Sequence, residues 1–465
     1  MRWWLIALVL LVGGCTAETA PPPSNGVSIH QVVPVGAENI STIVVILEQN
    51  HTFDSYFGSF PGADGIDGSV TFPLRPLGEP GRAAPFPYDR SDDQRFIPAP
   101  GEEPLSNGRG AAIRAWNDGA MDGFVRAQVN RGFNGELPLR YWDGDSIPGI
   151  WELAEEYVLL DRYFSSSPGG SLPNVLNLLA GSDFGVEAGT KSALTELADA
   201  PPTLFDQLEA GGVSWGYYVG DLDEADYDEL RTRAYLKSDE TTPSAAYWAP
   251  VLAIERFAED PYRSKLRNQS DFLTAAADGA LPEVSYVLPS PTDHQFTPAD
   301  VSENRLLSLV NAVAKGPQWD ETLIFVVWDD WGGYFDHVSP PVIRGEPLGF
   351  RVPALMISPW VRPGYVSSVD RDHSSIPRFI ADVTGVPFYQ RGLTEDAAFA
   401  DAFIERATPN DPAVFGGGTL GHAETPPREA RQGTLVLYSS GLGLAATVFA
   451  GWWFSGRRRS AEAVA

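Results

Sequence analysis

Asp329 and Asp330 stand side by side directly after the apolar run Leu323–Trp328. Adjacent carboxylates in that position repel one another and resist burial unless water, hydrogen-bond donors or a cation compensates them. A divalent metal would do so; solvated aspartates capping a helix are the plainer alternative. Gly332 and Gly333 follow and let the backbone approach closely, and Asp336-His337 place a proton carrier nearby. Two further apolar runs lead into equally loaded segments, Ser41–Leu47 into Glu48-Gln49-Asn50-His51 and Val284–Leu288 into Pro291-Thr292-Asp293-His294. Ser171 follows the pair Gly169-Gly170 ahead of the helix-compatible stretch Leu176–Ala180. Its hydroxyl either faces a cleft beside the free N–H groups of a helix start or is a simple cap.

The chain has six histidines, His30, His51, His294, His337, His373 and His422. The middle four sit in turns beside acidic or amide residues, where they can carry protons or orient neighbours. Cys15 is the one cysteine, which excludes a thiolate zinc site and leaves oxygen ligands for a hard or borderline metal.

These groups need strands to bring them together. The apolar runs lack alternation, the pattern of strands buried on both faces of a parallel sheet, and Val352–Ser358 is another. Helical patterns lie between them, over Ile150–Leu160 and over Thr203–Ala210 ahead of the strand-like Val213–Val219. The alternation predicts an α/β fold, a three-layer α/β/α sandwich with a mostly parallel central sheet and ligand groups gathered beyond the carboxyl ends of its strands. A length of 465 residues, with 43% hydrophobic and 20% charged, suffices for one large unit, and 39 prolines with 46 glycines make it loop-rich. The net charge of -28 opposes nucleic acid, so no nucleic-acid partner is expected.

The ends read as membrane signals. Arg2, the apolar run Trp3–Val12 and Gly13-Gly14-Cys15 predict a lipoprotein-type signal peptide over 1–14, with a lipid on Cys15. A spacer is expected over 15–38, the catalytic domain over 39–406 and a linker over 407–432. The uncharged stretch 434–454, with Trp452 and Trp453, predicts a C-terminal transmembrane helix, and Arg457, Arg458 and Arg459 assign the tail 455–465 to the cytoplasm. The expected location is the cell membrane, single-pass, with the catalytic domain outside.

Together, five segments resemble the bacterial phosphoesterase family that holds the non-haemolytic type phospholipases C and the respiratory-burst-inhibiting acid phosphatases. They are Ile43–Gly58 with NHTFDSYFG, Trp116–Val125, Asp161–Asn174 with SSSPGGSLPN, Thr322–Pro341 with WDDWGGYFDH, and Gly349–Phe379 with DHSSIPRF, within a resemblance from Ile40 to Phe388. The resemblance implies a fold related to alkaline phosphatases and one divalent metal ion. By position the metal residues are Gln49, Asn50, Ser171, Asp329 and Asp330, and the site histidines are His294, His337 and His373. Gln49 stands where the family usually has a glutamate, and Glu48 cannot replace it because adjacent residues on an extended segment point opposite ways. Asn107 falls near where many relatives carry a further histidine.

The expected function is a membrane-anchored extracytoplasmic phosphoesterase that hydrolyses phosphate mono- or diesters, small molecule or phospholipid, through a metal-activated Ser171. One of His294, His337 and His373 would protonate the leaving oxygen. A serine where phospholipase-type relatives usually have threonine, with the acidic surface, tilts the reading toward an acid phosphatase. The alternative from another class is a catalytically weakened or inactive membrane-tethered binding protein on the same scaffold.

Overall fold

The computed structural model describes residues 33–74, 81–88, 105–128, 137–186, 197–220, 249–289, 299–388 and 399–406, with 412 and 415. The strands of its central sheet are β1 (Thr42–Glu48), β2 (Val158–Leu160), β3 (Trp215–Val219), β4 (Leu266–Asn268), β5 (Val284–Leu288), β6 (Thr322–Trp328), β7 (Ala354–Ile357) and β8 (Tyr365–Ser367). They lie in the order β8-β2-β7-β6-β1-β5-β3-β4. β1 pairs in parallel with β6 from Thr42↔Thr322 to Glu48↔Trp328, and with β5 from Ile43↔Val284 to Ile46↔Val287. β5, β3 and β4 continue in parallel, whereas β7 runs antiparallel to both β6 and β2. Every residue of β1 and β6 is buried, which is why both read as unbroken apolar runs.

The helices are α1 (Phe53–Phe57), α2 (Arg109–Trp116), α3 (Phe124–Gln128), α4 (Pro148–Glu156), α5 (Ser171–Ala180), α6 (Leu204–Gly211), α7 (Gln269–Asp278), α8 (Ala299–Ala314) and α9 (Ser375–Thr384). Strand parity separates them into two layers. The Tyr286 hydroxyl donates to the Leu178 carbonyl of α5 at 2.9 Å, and Tyr286 is in register with Val45. Glu48 lies three residues beyond Val45, so its side chain points to the opposite face, where Arg305 of α8 donates to it at 3.1 Å. α5 and α8 therefore cover opposite faces, α6 and α9 packing with α5, and α4 and α7 with α8. The mixed α/β fold with a large, mostly parallel sheet fits the expected layering. A second buried cluster, built on Phe72, Phe124, Trp331, Phe335 and Phe350, braces the chain that leaves β6.

Two expectations are corrected. The helix expected over Ile150–Leu160 ends at Glu156, and Val158–Leu160 forms β2 between β7 and β8. A short apolar run has no periodicity that distinguishes a buried strand from a buried helical turn, and here sheet pairing captures it. No helix among the described residues is long and apolar enough to cross a membrane. The longest of them, α8, has 16 residues, which at 1.5 Å per residue is about 24 Å against about 30 Å of hydrocarbon, and its sequence includes Asp300, Glu303 and Arg305. The expected C-terminal transmembrane helix and the single-pass membrane localisation built on it thus find no support among the described residues. The stretch 434–454, Cys15 and the segment 1–14 lie outside the described residues.

Candidate active site

The carboxyl ends of β1 and β6 meet in a turn that glycine makes possible. Asn50 leaves β1 with φ 64°, and its N–H donates to Asp329 Oδ1 at 2.8 Å. The Asp330 N–H donates to the same oxygen at 2.7 Å, and the Gly332 N–H to Asp330 Oδ1 at 2.8 Å. Gly332 has φ 62°, and a Cβ on it would lie 1.9 Å from the Asn50 carbonyl oxygen, so only glycine lets the two strand ends come this close. Gln49, the buried residue after β1, has its Oε1 3.5 Å from Asn50 Nδ2. Glu48 is committed to Arg305 on the α8 face, as the alternation of an extended chain requires.

Ser171 is the first residue of α5, after a Gly170 cap in the extended region. Its Oγ donates to Asp330 Oδ2 at 3.1 Å. Asn174 holds the preceding turn, accepting from the Ser167 N–H at 2.8 Å and setting its Nδ2 3.1 Å from the carbonyls of Ser167, Gly169 and Gly170. Asn107 enters from the loop before α2, with Nδ2 2.8 Å from Asn50 Oδ1 and 3.1 and 3.0 Å from the two oxygens of Asp330. The structure thus brings Gln49, Asn50, Asn107, Ser171, Asp329 and Asp330 together from four separate stretches of chain.

Both aspartates are buried. Burial raises the pKa of Asp329 to about 6 against the N–H donors and the nearby Ser171 hydroxyl, and burial with the charge of Asp329 raises Asp330 well above the carboxylate range. Asp329 Oδ2 is a buried oxygen with no hydrogen-bond partner. Two buried carboxylates, amide oxygens, a hydroxyl and an orphaned carboxylate oxygen make a donor set that fits a hard or borderline divalent cation.

The histidines divide. His373 is fully buried, its Nε2 2.7 Å from the Asp329 carbonyl and its Nδ1 3.4 Å from the Tyr163 hydroxyl. Burial lowers its pKa to about 4, so the ring is neutral and Nε2–H donates to that carbonyl. His337 pairs with Asp54, Nδ1 lying 2.7 Å from Oδ2, and its Nε2 faces Asp64 at 3.7 Å. Asp54, Asp336 and His337 bring ligand atoms within 4.8 Å of one another, a spacing a metal can use. Arg351 already serves that cluster, with Nη2 2.8 Å from Asp54 and Nε 3.0 Å from Asp336 and no side-chain exposure. His51 is boxed by Tyr56, Trp142 and Tyr334. His294 lies outside the described residues. The Arg351 network was missed from sequence; its signal was a lone cation in the apolar stretch Gly349–Pro353.

The model of the phosphoesterase family matches residues 40–387. The chain belongs to the phosphoesterase family. The non-specific phospholipase C3 of Arabidopsis thaliana is 27% identical over 414 residues, 80% of this chain and 75% of that protein. The non-hemolytic phospholipase C of Pseudomonas aeruginosa is 25% identical over 435 residues, 80% of this chain and 58% of the longer relative. Among solved structures, a protein in the alkaline phosphatase superfamily from Vibrio parahaemolyticus is 12% identical, with 82% of this chain and 76% of that one covered at a TM-score of 0.37. This member of the phosphoesterase family is a hydrolase acting on phosphoric ester bonds.

Proposed function

We propose that the chain hydrolyses phosphoesters through Ser171, activated by one divalent metal ion held by Gln49, Asn50, Asp329, Asp330 and the Ser171 oxygen. The hydrogen bond from Ser171 Oγ to Asp330 Oδ2, 3.1 Å long, carries this reading because it sets a hydroxyl against a buried carboxylate pair at a helix start. A bound cation would neutralise that pair and lower the pKa of the hydroxyl. The Ser171 oxygen attacks phosphorus and the ester oxygen departs, leaving a phosphoseryl group that water then releases. The N–H groups of Ser171 and Leu172, ahead of Pro173 in the first turn of α5, would donate to the non-bridging oxygens as negative charge builds there. His373 has its Nε2 proton on the Asp329 carbonyl and holds that aspartate in place, so the leaving-group proton falls to His294 or His337.

Monoesters are the favoured substrates, on the serine nucleophile and on a net charge of -28 that would hold the protein off anionic lipid headgroups. Diesters are the second reading, favoured by the names of the two relatives, both phospholipases C. Assaying p-nitrophenyl phosphate beside its phosphocholine diester, with and without a chelator, tests both. Metal-dependent release faster by about tenfold or more from the monoester supports the phosphatase reading. The reverse order selects the diester, and release untouched by exhaustive chelation overturns the metal.

A further inference from the structure

We propose that the Asn107 amide is a built-in competitor for the cation. The inference rests on the metal reading above. One nitrogen, Asn107 Nδ2, lies within 3.1 Å of three oxygens of the donor set, Asn50 Oδ1 and both carboxylate oxygens of Asp330. The amide turns two N–H donors toward these three oxygens, at least one of them shared, and their partly positive hydrogens take the place a cation would occupy.

Its position is fixed from two sides. The Trp331 indole donates to the main-chain carbonyl of Asn107 at 2.8 Å and so anchors the backbone that presents the side chain. On the other side a Cβ on Gly170 would lie 3.3 Å from both Asn107 Nδ2 and Oδ1, so the side chain is wedged between the acidic pair and the turn that presents Ser171. A cation that takes Asn50 Oδ1 and Asp330 must displace Nδ2 or turn the amide until its oxygen faces inward. Either movement breaks hydrogen bonds to a buried carboxyl group, so Asn107 weakens cation binding while it stabilises the cation-free site.

The test is calorimetric titration of chelated full-length protein with Mg²⁺, Ca²⁺, Mn²⁺ and Zn²⁺, each alone, for wild type, Asn107→Ala and Asn107→Ser. For the cation that the wild type binds most tightly, the dissociation constant should fall by about tenfold or more in both variants. The chelated variants should melt below chelated wild type, and saturating cation should narrow the gap. Binding by the variants alone supports the proposal equally. If the alanine protein does not melt cooperatively, the serine protein decides. An unchanged or higher dissociation constant in the variants makes Asn107 a bystander or a ligand and overturns the proposal while the metal reading stands. Absence of binding in all three proteins removes the metal reading and the proposal with it.

Discussion

At the residue scale the site is a problem of charge in a buried place, and the chain solves it twice by different means. Around Asp54 and Asp336 the compensating cation is built in as the guanidinium of Arg351, which also stacks on the Phe53 ring at 4.6 Å. Around Asp329 and Asp330 the compensation is N–H donors, the Ser171 hydroxyl and the Asn107 amide. The first solution makes a pH prediction. Burial opposes a charge on His337, but its hydrogen bond and attraction to Asp54 outweigh burial and raise its pKa. A raised folded-state pKa adds stability that is fully present below the unfolded value, about 6.5 for histidine, and is lost as pH rises through the folded value. Wild-type melting temperature should therefore decline from about pH 6.5 upward, and His337→Gln should flatten that decline; equal slopes for the two proteins would remove His337 from the network. Gln49, Asn50, Ser171, Asp329 and Asp330, which the structure brings together, stood out because each follows an apolar run or a glycine pair and matches the resembled family by position. Arg351 did not, because its meaning lies in two aspartates nearly 300 and 15 positions away.

At the element scale, precision comes from the parallel register of β1 against β6 and from the turn after each. Pairing of Glu48 with Trp328 brings the Asn50 N–H within hydrogen-bond reach of Asp329, and Glu48 faces α8. Gly332 locks this arrangement. Gly332→Ala would force a left-handed residue and a contact of 1.9 Å on the Asn50 carbonyl. It should cost at least about 2 kcal/mol of stability and weaken cation binding together with turnover. Denaturant midpoints and titration on the purified variant check this, and a variant with wild-type stability would show that the turn has room to relax. The two long central strands were readable because burial on both faces erases alternation. β2 was not, since three apolar residues after a helix carry no period of their own and only pairing with β7 and β8 makes them a strand.

For the whole molecule, the layered architecture followed from alternating apolar runs and amphipathic stretches, whereas the membrane-spanning helix read from composition at the C-terminus has no counterpart among the described residues, none of whose helices is long and apolar enough to cross a membrane. The net charge of -28 has a kinetic consequence for the hydrolase. A dianionic monoester is repelled at long range, and salt shortens that range from about 30 Å at 0.01 M to about 8 Å at 0.15 M. The kcat/KM for p-nitrophenyl phosphate should rise by about threefold over that interval, and that for the zwitterionic phosphocholine diester should stay flat. A fall for the monoester would mean that local cations at the site, not the overall field, govern its approach.

Ser171, held on Asp330 at the start of α5, is the group proposed to attack phosphorus. The most direct test of that role is phosphoester hydrolysis by Ser171→Ala, measured on protein shown to melt as the wild type does. The predicted result is no release above background. Hydrolysis within about tenfold of the wild-type rate would contradict it and return the nucleophile to water.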